Sequence, residues 1–180
     1  MPPKCSYLLG AFATIYLSLA SIAAIADEPA AEALPGAASW LRYEPRMPLW
    51  VVSRTARCWP FNIWVARTPE QFTRGLMFVR QLHDDGGMLF AMQAEREISM
   101  WMRNTFIALD ILFADASGKI IKIHENATPL SLEHISSDGL AYAVLELPAG
   151  AVAKRNISAG DQLRHAHFGN SGCQTQVKEK

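Results

Sequence analysis

The ten residues FIALDILFAD, 106–115, constrain this chain most. They are apolar at successive positions, so both faces of the segment want cover. That is the pattern of a strand inside a sheet that is buried on both sides. One carboxylate interrupts it. Asp110 shares a strand face with Phe106, Ala108 and Leu112. A carboxylate there must be paired, accept hydrogen bonds or stay neutral. Arg74 and Arg103 are the available cations, and backbone N–H groups of a turn are the alternative partners.

The surrounding chain supplies matching strands. CWPFNIWVAR alternates, with Phe61, Ile63 and Val65 opposite Asn62, Trp64 and Ala66. PLWVVS, MLFAM, EISMWM, IIKIHENA, LAYAVLELPAG and the end of SAGDQLRHAHF read as further strands. In EISMWM, Ile98, Met100 and Met102 oppose Ser99, Trp101 and Arg103, and this places Trp101 and Arg103 on one strand face. HDDGG and DASGK are turns by chemistry, and TPLSLEHISSDG reads as a loop. TPEQFTRGLM reads as a helix: Thr68 is a natural N-cap, Pro69 sits at the first helical position and Gln71 completes a capping box. Gly75 lies inside that pattern and suggests the close approach of another backbone. AGAVAKRNI reads as a second short helix. The expected fold is α+β and β-rich, a mostly antiparallel, barrel-like sheet with one or two short helices.

The N-terminus has a different character. Lys4 is followed by no charge until Asp27, the apolar core runs from about Leu8 to Ala20, and Ala24–Ile25–Ala26 matches the A-x-A cleavage pattern. Residues 1–26 read as a secretory signal peptide, with an uncleaved membrane anchor as the alternative. Residues 27–46, rich in Ala, Pro and Glu, read as a flexible linker. Residues 47–168 form the single domain and residues 169–180 a polar tail. The expected location is therefore periplasmic or extracellular, with a membrane contact only if the N-terminal segment stays uncleaved. Cleavage leaves Cys58 and Cys173, which in an oxidising compartment form one disulfide or stay as two thiols.

Seventeen Lys and Arg balance seventeen Asp and Glu, and no basic run stands out, which argues against a nucleic-acid partner. No nucleophile elbow, phosphate loop, dinucleotide fingerprint or H-E-x-x-H motif is present. No cofactor is expected. Met77, Met88, Met92, Met100 and Met102 crowd one stretch, and sulfur can hold Cu(I). However, Met100 and Met102 keep strand spacing with Ile98, which favours core packing. His165 and His167 share a strand face but lack a third ligand, so they read as surface histidines rather than a metal site. His124 and Glu125 face opposite ways, and Glu133 and His134 fall in a loop.

The runs FNIWVARTPEQFTRGLMFVRQL, GGMLFAM, MWMRNTFIALDILFADASGKIIKIHENATPL and VLELPAGAVAKRNISAGDQL occur in order between about Pro48 and Phe168. Together they resemble the bacterial and archaeal family called domain of unknown function 192. The resemblance implies a small β-rich domain, often exported, and implies no activity. The family signature falls on Arg74, Gly75, Leu76 and Met77, on Gly87 to Phe90, and on Trp101 to Asp110. Arg103 stands where the family usually has lysine and Ala108 where it has proline. Arginine stays protonated, so any nucleophile or base role of that family lysine is not open to Arg103, which weakens a lysine-based enzyme reading.

The candidate ligand-binding residues are Arg74, Trp101, Arg103, Asn104, Thr105 and Asp110. They suggest a polar cleft beside an aromatic wall, for a small polar ligand or a protein partner. The alternatives are an envelope hydrolase with Asp110 as acid or base, and a scaffold whose polar block only locks a turn.

Overall fold

The computed structural model describes residue 41 and residues 44–173. The expected signal peptide lies outside the described residues, as do most of the linker and residues 174–180 of the tail. Among the described residues seven strands run in the order β1 (Met47–Val52), β2 (Cys58–Ala66), β3 (Gly86–Met100), β4 (Leu109–Ala114), β5 (Ile120–Ala127), β6 (Ile135–Pro148) and β7 (Gln162–Arg164). Two short helices interrupt them, α1 (Pro69–Arg74) and α2 (Ala151–Arg155), and a 3-10 turn, Ala166–Phe168, follows β7. No helix among the described residues is long and apolar enough to cross a membrane.

The strands form one mixed sheet in the spatial order β5-β4-β6-β3-β2-β1-β7. All neighbours are antiparallel except β2 and β3, which α1 connects as a crossover. The sheet curls into a half-barrel. Its two edges touch at one end, where Lys119 bridges Gln162 and the Leu163 N–H donates to the Gly118 carbonyl at 2.7 Å.

Both faces of the sheet are buried. One carries Trp64, Met88, Phe90, Ile111, Phe113 and Val144 and is covered by α1 and by Leu76 and Val79 just after it. The other carries Ile63, Val65, Leu89, Leu112, Leu145 and Leu163 and is covered by α2 through Ala151 and Val152. β4 is buried at all six positions, as the apolar run demands. Each such Leu, Ile or Phe side chain contributes roughly 1.5–3 kcal/mol by leaving water. Met88, Met92 and Met102 are buried on the first face, with Met100 packed against it. Leu41 also packs there, and the Arg46 guanidinium lies 4.4 Å over the Trp64 ring.

Several local expectations change. MLFAM and EISMWM are one bent strand, because the polar run between them is absorbed by bulges where β3 pairs with β6. β6 starts at Ile135, so the second half of the expected loop is strand. Helix α1 keeps the capping box, with the Gln71 N–H donating to Thr68 Oγ1, but stops at Arg74. Gly75 caps its C-terminus at φ +44°, a backbone conformation that itself calls for glycine, and a Cβ there would lie 3.0 Å from the Phe90 ring, so the close neighbour is a side chain and not another backbone. Strand β3 ends at Met100, which leaves Trp101 and Arg103 in a loop. β7 ends at Arg164, so the histidines do not share a strand face. His165 is buried and its Nδ1 accepts from the His167 N–H at 3.1 Å, while His167 stacks on Tyr142 with centroids 4.5 Å apart. Cys58 and Cys173 are joined in a disulfide, Cα atoms 5.8 Å apart.

Candidate functional site

The residues after β3 turn sharply. The Thr105 N–H donates to the Met102 carbonyl at 3.0 Å, and Asn104 adopts φ +55° to make this turn. Asparagine is among the few residues that tolerate such a backbone. The turn is tied on both sides: the Phe78 N–H donates to the Asn104 carbonyl, and the Leu130 N–H donates to the Thr105 carbonyl. Asn104 Nδ2 reaches Met77 Sδ at 3.8 Å. Asn104 and the buried Thr105 thus hold the loop in place.

Asp110 is fully buried on β4. Its Oδ1 accepts the Asn126 N–H at 3.0 Å and its Oδ2 the Val152 N–H at 2.9 Å. The carboxylate joins the end of β5 to the first turn of α2, where backbone N–H groups lack helical partners. Neither Arg74 nor Arg103 pairs with it.

A small cleft, about 80 Å³, opens between α1 and the loop after β3. Arg74, Trp101, Arg103 and Thr105 line it, with Phe90 and Glu146. The structure therefore brings four of the six expected residues together. Asn104 is set back in the turn and Asp110 lies under α2. Both arginines and Trp101 are exposed, and the Arg103 guanidinium sits 5.7 Å from the Trp101 ring. His134 stacks on Trp101, and its Nδ1 lies 2.9 Å from Ser99 Oγ.

Glu146 is the site residue that sequence reasoning missed. It lies on β6 between Met88 of β3 and Ile111 of β4, on the face of Val144. Its side chain is buried and its Oε2 has no hydrogen-bond partner among the described residues. Burial pushes its carboxyl up to about 8, so at neutral pH it holds its proton. The signal was available: VLELP places one carboxylate in a strand that is otherwise apolar on both faces, the same argument that singles out Asp110.

Behind the cleft, on the other face of the sheet, Gly87 lets the backbones of β3 and β6 approach closely. A Cβ there would lie 2.5 Å from the Glu146 carbonyl oxygen. A larger hollow, about 810 Å³, lies elsewhere among Arg54, Gln162, Arg164 and Asn170, and its lining holds no carboxyl, thiol or imidazole. Size alone does not make it the better site; the small cleft has the buried acid. Among the described residues no three His, Cys, Asp or Glu side chains gather as a metal-binding set.

Two crystal structures share this fold. A protein from Sinorhizobium meliloti 1021, provisionally described as a transcription regulator, is 38% identical with a TM-score of 0.68, covering 69% of this chain and 97% of its own. A protein of unknown function from Novosphingobium aromaticivorans DSM 12444 is 32% identical with a TM-score of 0.67, covering 76% of this chain and 96% of its own. No curated protein matches the chain. The family model described as DUF192, Uncharacterized ACR, matches residues 51–165, and the chain belongs to this family, domain of unknown function 192.

Proposed function

We propose that this protein is an exported binding module that holds a small polar or anionic ligand in the cleft of Arg74, Trp101, Arg103 and Glu146. The observation that carries this reading is Glu146, a buried carboxyl with an unpartnered oxygen lining a cleft with two exposed arginines. A buried polar atom without a partner costs about 1–3 kcal/mol, and a bound ligand that accepts or donates there recovers part of it. The A-x-A pattern at Ala24–Ala26 supports export. So does the Cys58–Cys173 disulfide, which persists best in an oxidising compartment.

The hydrolase alternative requires Asp110 to be partly exposed. Its burial and its two backbone partners leave it no opening, so an acid–base role in that alternative would pass to Glu146. The description of the Sinorhizobium protein as a transcription regulator would call for a nucleic-acid face. A net charge of zero provides little drive from counterion release.

A thermal-shift panel on the full chain tests the proposal. It includes metal ions, sugars, nucleotides, amino acids, short peptides and small organic and inorganic anions. A ligand that binds only the folded state raises the melting temperature by mass action. The expected result is a shift that Arg103→Ala abolishes. A flat panel overturns the binding reading and leaves the scaffold.

A further inference from the structure

The shape and lining of the cleft narrow the ligand beyond "polar or anionic". A water needs about 10–15 Å³ of such space, so 80 Å³ takes on the order of five to eight water-sized groups. That is a small molecule or the end of a larger one. The walls are mixed. Leu76 and Phe90 are buried and apolar, Met100 is half-buried, and the cations stand only at the exposed end. Deep in the cleft a fully hydrated dianion would lose its water against hydrocarbon without a close counter-charge, which is costly. A singly charged, planar group with a short apolar stem loses less. The same planar group matches the fork of a guanidinium.

We infer that the cleft takes a carboxylate group, with Glu146 as its hydrogen-bond partner at the buried end and Arg74 and Arg103 as its counter-charges at the exposed end. The inference rests on the binding reading above and names its ligand class. No covalent step is involved. A protonated carboxyl offers one O–H donor, and the carboxylate oxygen of the ligand accepts from it. The value of about 8 for Glu146 supports this pairing, because the proton is present at neutral pH while an ordinary ligand carboxylate is ionised. The other side chains of that sheet face around Glu146 are uncharged: Trp64 from β2, Met88 and Phe90 from β3, and Ile111 from β4. The charged groups that line the cleft with it are Arg74, just before Gly75, and Arg103 in the loop after β3. Neither offsets its burial, since desolvation is the sole cause of its shift.

Carboxylates of this kind have two sources, a free short-chain acid and the C-terminus of a polypeptide. Isothermal titration calorimetry on the full chain distinguishes them with four probes: propionate, a short peptide with a free C-terminus, the same peptide amidated, and inorganic phosphate. We expect propionate or the free peptide to bind at pH 6.5. Binding should weaken about tenfold by pH 9, as Glu146 loses its proton above about 8. Glu146→Gln keeps an N–H donor and the shape, so it should bind at both pH values without that fall. Arg103→Ala should weaken binding at both. Propionate binding names a small acid; peptide binding that amidation abolishes names a chain terminus. Phosphate binding with both carboxylates silent overturns the carboxylate inference and leaves the binding reading standing. Carboxylate binding that is flat with pH in the unsubstituted protein overturns the role of Glu146. Silence from all four probes overturns the inference, and the thermal-shift panel then decides the binding reading on its own.

Discussion

A carboxyl whose value rises to about 8 on burial holds its proton more tightly in the folded chain than in the unfolded one, where its ordinary value is 4.5. Below about pH 4.5 both states are protonated and this contribution is complete. Between 4.5 and 8 the unfolded chain ionises and the folded chain does not, so stability is lost as pH rises, and the loss levels off above 8. His165 works the other way: burial lowers it to about 4, so its contribution is lost as pH falls below about 6.5. Burial lowers His167 as well, and at pH 6.5 an unfolded histidine is still half-protonated, so from pH 6.5 to 8 the loss from Glu146 is the larger change and the last of the histidine contributions runs against it. Urea unfolding should show a net loss of about 1 kcal/mol across that interval, and Glu146→Gln should remove that loss. Asp110 gives the contrasting case. An amide at this position has one acceptor for two backbone N–H groups and presents N–H where an acceptor is needed. Asp110→Asn should cost about 2–3 kcal/mol in the same measurement and leave ligand affinity in the cleft unchanged. Two like carboxyls in two apolar strands thus differ only in what lies across from them. That difference was not legible in the sequence, because the partners of Asp110 come from Asn126 and Val152, and the missing partner of Glu146 is a property of the packed sheet.

At the level of elements, the sequence was legible wherever local chemistry and burial agreed. Thr68, Pro69 and Gln71 announce α1, and the apolar run of β4 announces a strand covered on both faces. It was illegible where a bulge lets polar residues stay in register. The exposed Gln93 to Glu97 interrupt no pairing partner permanently, and β3 resumes with Arg96 opposite Ala141. Ser136, Asp138 and Gly139 are turn formers by type, yet Ser137 Oγ accepts the Ile98 N–H at 3.0 Å and keeps that stretch in β6. The junction of β3 and β6 is also a place where a single methyl group would do harm. Gly87→Ala would push a Cβ against the Glu146 carbonyl, and backbone cannot swing aside as a side chain can. We expect it to cost about 1–3 kcal/mol, as overpacking does, and to disturb the cleft, seen as a lower melting temperature together with loss of ligand response.

Taken whole, the molecule is held at its ends. The disulfide closes a loop of 115 residues, and in the chain-entropy picture such a closure is worth about 4–5 kcal/mol. Reducing it, or replacing both cysteines by serine, should lower the melting temperature by several degrees with the pH behaviour of Glu146 intact. The barrel-like sheet and its short helices were readable from alternation and turn chemistry. The parallel pairing of β2 with β3 was not, because strand order depends on contacts distant in the chain. That order has a consequence for how the protein is made. Strand β1 pairs with β2 on one side and with β7 on the other, so among the described residues the first strand synthesised needs the last. At about 5–20 residues per second the ribosome takes on the order of ten seconds to travel between them. Throughout that interval the open side of β1 has no partner in the growing chain. Closure of this edge waits until β7 has been made, so the order of synthesis delays the last seam of the sheet rather than its centre.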